Sequence, residues 1–186
     1  YKSLPKHQAL DFVALAARQP EFARQGEDRA QLSLFLGQIN AERSCHDLAF
    51  AAYRDAAAGL KDPAAKVDTL LAAATAAQKY RDLKAAAACL ADAEAIPDLP
   101  PATRQRIQLA LARNAIYCDQ HSWQPSRELI ATASRHADQA LQANSSLLGT
   151  AEAILTRYAI ARAEAAAGDL TSAAESASKL IDGKNP

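Results

Sequence analysis

Glycine and proline fall so sparsely along this chain that the stretches between them leave room for little except helices. The breaks stand at Pro5, Pro20, Asp62-Pro63, Pro97 to Pro101, Pro125, Gly168 and Gly183. These two residues are the strongest local interrupters of regular structure, so the intervals are candidate elements. Within them apolar residues recur at helical spacing, as in Leu32, Phe35, Leu36 and Ile39, then Leu48, Ala52 and Tyr53. A half-buried strand needs strict alternation, which these windows lack. The pattern predicts helices over 6–19, 28–44, 47–60, 63–80, 83–96, 101–118, 124–143, 146–167 and 170–182. Several starts have a mechanism: Asp62 caps a helix whose first position suits Pro63, Asp169 caps the one after Gly168, and Leu99-Pro100-Pro101 forces an extended link. Short links imply antiparallel neighbours.

With 186 residues, 49% of them apolar, the chain can bury a core. Only 5% are aromatic, and runs such as Ala72-Ala73-Ala74 and Ala85 to Ala88 predict helices packed closely through small side chains. Twenty-one basic and 21 acidic residues cancel, so no global field draws in nucleic acid or an anionic membrane. The three cysteines, Cys45, Cys89 and Cys118, form no close pair and do not read as a disulfide framework. No apolar run approaches the roughly 18 residues of a membrane span, so direct membrane insertion is not expected. The sequence starts at Tyr1 and contains no methionine, which reads as a segment of a larger protein. Its alanine, arginine and glutamine bias points to a bacterial genome of high GC content. In that setting the reading is a periplasmic part of an envelope secretion or export protein, with the cytoplasm as the alternative.

A joint recurs in which a helix ends, a short polar turn follows and a hydrophobic residue opens the next helix. It is found at Cys45-His46-Asp47-Leu48, Tyr80-Arg81-Asp82-Leu83, Gln120-His121-Ser122-Trp123 and Ala167-Gly168-Asp169-Leu170. Positions 48, 83, 123 and 170 are separated by 35, 40 and 47 residues, the period of a helical-hairpin repeat with growing insertions. Leu36-Gly37, Ala49, Tyr53 and Ala56, with Pro63 a little beyond, fall at the offsets of a tetratricopeptide repeat, and this part of the chain resembles that family. Ile160-Ala161, Gly168, Leu170, Ala173 and Leu180 resemble it too, as do Ala74, Tyr80, Leu83, Ala86, Leu90 and Ala93; the pair around Asn114 and Trp123 departs from it. The resemblance covers about residues 28–182. It implies an all-α fold, a right-handed α-α superhelix of about four antiparallel helix pairs (28–60, 63–96, 101–143 and 146–182) plus the N-terminal helix, taken as one domain over 1–186. Small residues at Gly37, Ala49, Ala56, Ala74, Ala86, Ala161 and Ala173 would let paired helices approach.

In such an array the first helix of each pair lines a concave face, where partners converge. The family's register implies contact positions at Gln31, Leu34, Gln38 and Glu42 in the first pair. It implies Asp68, Leu71, Thr75, Gln78 and Lys79 in the second, and Leu155, Tyr158 and Arg162 in the last. In the third pair Arg106, Arg113 and Asn114 are the candidates. This mixture fits a peptide or a protein surface. The lysines and asparagines with which the family clamps a terminal carboxylate are not present as a set.

Chemical motifs are few. Phosphate-cradling glycine loops, paired helical histidines and Cys-x-x-Cys pairs do not occur. Cys118 with His121, and Cys45 with His46, are half-sites at joints, and four convergent ligands are not supplied, so no metal is expected. Trp123, Tyr53, Tyr80 and Tyr117 read as rings filling seams between repeats, and Asn144-Ser145-Ser146 as a helix cap before a glycosylation acceptor. Arg104, Arg106 and Arg113 do not make one stripe, so nucleic acid is not an expected partner. The expectation is a non-catalytic scaffold, without cofactor, that holds a protein or peptide partner. Its alternatives are a ligand-sensing helical-repeat domain of a transcription regulator and an enzyme built across a bundle. The oligomeric state is not legible.

Overall fold

The computed structural model describes residues 26–120, 126–143 and 151–181, together with Leu15. Of 119–120, 141–143, 151–155 and 179–181 it describes the backbone alone. These residues form eight α-helices, and no strand occurs among them. The helix expected over 6–19 lies outside the described residues apart from Leu15, as do Trp123, His121 and Asn144-Ser145-Ser146.

The chain divides into two compact units, Tyr1–Pro97 and Asp98–Pro186, at the proline-rich link marked by the sequence. The first holds α1 (Gly26–Glu42), α2 (His46–Gly59), α3 (Pro63–Lys79) and α4 (Leu83–Glu94). The second holds α5 (Pro101–Gln120), α6 (Arg127–Ala143), α7 (Ala151–Ala166) and α8 (Leu170–Ile181). In the first unit α1 packs along α2, α2 on α3, and α3 along α4. In the second α5 packs along α6, α6 on α7, and α7 along α8, while α5 also lies against α7.

Three joints explain why the helices end where they do. At the first, the Ser44 N–H donates to the Ala41 carbonyl and the Cys45 N–H to the Asn40 carbonyl. Arg81 to Gln78 with Asp82 to Ala77, and Gly168 to Ala165 with Asp169 to Glu164, repeat the same register. This is the Schellman arrangement, which satisfies the last carbonyls of a helix by placing one residue in the left-handed region. That residue is Ser44 (φ 62°), Arg81 (φ 71°) or Gly168 (φ 80°). The residue after it begins the next helix. Asp82 accepts the Ala85 N–H at 2.9 Å and Asp169 accepts the Ser172 N–H at 3.0 Å, whereas Cys45 makes no side-chain cap. Asp62 caps α3 through the Ala65 N–H at 2.9 Å, with Pro63 at its first turn.

Small residues set how closely the helices pack. Gly37 sits under the Tyr53 ring, and a Cβ on Gly59 would meet the Gly26 carbonyl oxygen at 2.8 Å, so the start of α1 touches the end of α2. Ala49, Ala56, Ala74 and Ala86 are fully buried, while Ala161 and Ala173 are half-buried. Tyr53 therefore fills the interior of its own pair, where Gly37 leaves room for it. Tyr80 reaches back to the preceding pair and meets Phe50 with ring centroids 5.8 Å apart.

The two interiors differ in chemistry. Val67, Leu70, Cys89, Leu90 and a run of alanines fill the first unit, and each large aliphatic there contributes about 1.5–3 kcal/mol by burial. In the second, Ile116, Ile130 and Ile160 pack with Ala112, Ala133 and Ala137. Gln105, Asn114, Thr156, Arg157 and Glu164 are buried in the same unit.

Candidate functional site

The exposed faces of the first helices follow from two-sided packing. α5 buries Gln105, Leu109, Ala112 and Ile116 on one side and Ile107 and Asn114 on another, which leaves an outward arc through Arg106 and Arg113. α7 buries Thr156, Arg157, Ile160, Ala163 and Glu164, and its outward arc carries Tyr158 and Arg162. In the first unit Gln31, Gln38 and Glu42 are exposed on α1, and Asp68, Thr75 and Lys79 on α3. Leu34, Leu71 and Gln78 are half-buried beside them. Most of the described positions implied by the repeat register are thus exposed and three are half-buried, but one is interior. Asn114 is 5% exposed and its amide donates to the Cys118 sulfur at 3.9 Å. It belongs to the interior because α5 is packed on both flanks. Of Leu155 only the backbone is described.

Local bonds already hold some of these groups. Thr75 Oγ1 donates to the Leu71 carbonyl at 2.9 Å, so its hydroxyl is turned back onto α3. The Arg162 guanidinium lies 5.8 Å from the centre of the Tyr158 ring, a cation–π stack on the surface of α7. Tyr158 is nevertheless 54% exposed.

Two ion pairs that local pattern does not reveal tie neighbouring layers. Arg54 of α2 reaches Asp92 of α4 at 2.6 Å, and the same Nη1 lies 3.8 Å from the Cys89 sulfur. The Asp92 carboxylate, followed by the Cys89 contact, raises the Arg54 pKa above its ordinary value. Arg54, Asp92 and Lys66 rim an open groove of about 450 Å³ whose floor includes Ala57, Leu70 and Ile96. In the second unit Arg157 of α7 donates through Nη2 to Asp138 of α6 at 2.5 Å, with only 6% of its side chain exposed. Its Nε and Nη1 are buried and meet no acceptor among the described residues.

The joint hydrophobics differ among themselves. Leu83 is half-buried at the start of α4, but Leu48 is 55% and Leu170 71% exposed. Cys45 and His46 are half-buried at the first joint, Cys118 is half-buried on α5, and no group of three or more His, Cys, Asp or Glu residues fit to hold a metal occurs among the described residues. No helix among them is long and apolar enough to cross a membrane. No family model, no characterised protein and no solved structure matches this chain.

Proposed function

We propose that each unit is a pair of tetratricopeptide-like repeats, right-handed in their winding, and that the chain is a non-catalytic scaffold holding a protein or peptide partner on the faces of its first helices. The observation that carries this reading is the order of packing. Among the described residues, every helix of each unit packs on its neighbours in sequence, and the first and last of the four described helices do not pack along one another as they would in a closed bundle. In the second unit the two first helices, α5 and α7, also lie side by side. Open layering of this kind leaves the first helices an outward face on which a partner can lie. The three joints support the repeat character, since each bends the chain by hydrogen bonds of the same register.

Photo-crosslinking tests it. Benzoylphenylalanine is placed at Gln38 and Thr75 on first helices and at Ala51 and Ala88 on second helices, all four exposed. A protein trapped from the native extract by the first two positions and not by the others is the expected result. Trapping from 51 and 88 alone, or from none, counts against the scaffold.

A second reading, a ligand-sensing helical domain of a transcription regulator, draws on the groove beside Lys66 and Arg54, whose volume falls within the range of small-molecule sites. Calorimetry with candidate metabolites discriminates. A saturable heat that disappears when Ala58→Trp fills the groove favours sensing.

A further inference from the structure

In the first unit α2 and α4 both pack on α3 and do not pack along one another. The open groove of about 450 Å³ lies where residues of all three helices meet. Ala58 and Ala95 border it with nothing larger than a methyl group, which keeps it open down to Leu70 and Ala57, and Ile96 and Pro97 complete its apolar lining. All of these residues belong to the first unit, and none is a position that the repeat register implies for a partner.

The charges on the rim do not cancel. Arg54 is committed to Asp92 at 2.6 Å, whereas Lys66 makes no ion pair with a described acid. Asp62, one helical turn before Lys66, is turned onto the Ala65 N–H as the cap of α3. The rim therefore carries two cations and one carboxylate. Lys66 is half-buried, and a charge withdrawn from water is screened by salt less than an exposed one. Its ammonium offers three donors and no acceptor, so what it lacks is an anion.

We infer that this groove binds a small-molecule carboxylate with an aliphatic or arylalkyl body. Lys66 takes the carboxylate, and the lining formed by Leu70, Ala57 and Ile96 takes the body. The Arg54–Asp92 pair is a side wall whose charges satisfy one another, so it demands no charge of the ligand. The volume stands near the lower end of the range of small-molecule sites, which suits a single ring or a short chain and not a folded partner. This rests on the reading of the groove as the ligand site of a sensing domain. It adds the chemical class of the ligand and the residue that selects it.

Phenylbutyrate is the probe, with phenylbutyramide and phenylbutylamine as its neutral and cationic counterparts. Titrated into the isotope-labelled full chain, phenylbutyrate is expected to shift the backbone amide resonances of Ala58, Ala95 and Ile96 saturably. Both counterparts are expected to bind about five-fold more weakly, the loss of one partly exposed charge pair. Lys66→Gln is expected to weaken the carboxylate by a similar factor and leave phenylbutyramide unchanged, with the circular dichroism unaltered. Lys66→Arg is expected to retain the preference for the carboxylate.

Equal or tighter binding of either counterpart at the same resonances overturns the inference while leaving the ligand site standing, and so does a carboxylate affinity indifferent to Lys66→Gln. A blocked tetrapeptide ending in a free phenylalanine carboxylate that binds about ten-fold tighter than phenylbutyrate overturns the assignment to a small molecule. Shifts confined to residues outside the groove, or none from any of the three compounds, overturn both the inference and the reading beneath it.

Discussion

The ring of Tyr53 lies against the bare Cα of Gly37: a Cβ at that position would stand 2.5 Å from the tyrosine Cδ1 and 2.6 Å from Cε1. Contacts that short do not occur, and Tyr53 is buried, so the ring has nowhere to move. Gly37→Ala is therefore expected to destabilise the chain by about 1–3 kcal/mol, although alanine is the better helix former by about 1 kcal/mol. Gly26→Ala meets nothing within 4 Å and is expected to be neutral or slightly stabilising. Urea midpoints of the two variants check the sign of each.

At the joints, Ser44 and Arg81 hold left-handed backbone that glycine adopts more readily. Ser44→Gly and Arg81→Gly are expected to raise stability by about 0.5–1 kcal/mol, the strain relieved exceeding the flexibility added to the unfolded chain. Gly168→Ala reverses the sign at the third joint. Cys45→Asp gives α2 the cap that Asp82 and Asp169 already provide, and is expected to add about 0.5–1 kcal/mol. Thermal unfolding of the single variants is the measurement.

Arg157 and Asp138 are unequal partners, since the arginine side chain is 6% exposed and the aspartate 36%. Asp138→Ala strands a buried guanidinium and is expected to cost about 3 kcal/mol. Arg157→Met removes the buried charge together with its two unmet donors and leaves Asp138 with access to water. It is expected to cost distinctly less, and chemical denaturation of the two variants decides. Equal losses would mean that the pair itself, and not the desolvated cation, carries the energy.

Burial pushes the Cys89 thiol above its ordinary value of 9.0 against the opposing influence of Arg54, and burial likewise raises Tyr53 and Tyr80 above 10.0. The fold therefore favours the protonated forms. Their contribution is fully present below those ordinary values and is lost as the pH rises through the folded-state values, so stability is expected to fall on the alkaline side. Urea midpoints taken above pH 9 should decline, less steeply in Cys89→Ala. In the native state a thiol reagent should modify the half-buried Cys45 and leave Cys89 until the chain unfolds.

Much of the helix layout is legible because its signals are local. Pro63 after Asp62 and Gly168 before Asp169 mark helix starts and stops through backbone geometry alone, and the helices begin at Pro63 and Leu170 as that chemistry dictates. The end of α1 is less legible: the turn residue there is Ser44, which carries no signature of left-handed backbone. Asn114 shows the limit of register arguments, since a polar residue at a nominal groove position is interior once α5 is packed on two sides. Arg54 with Asp92 and Arg157 with Asp138 depend on which layers meet, and no spacing within one helix encodes that.

Each joint closes on its own atoms, with no side chain from elsewhere in the chain required to hold it. A helix pair thus carries its bend along with it and can be copied, lost or moved as one piece. What recurs in this chain is written in main-chain hydrogen bonds, a vocabulary in which serine, arginine and glycine are synonyms.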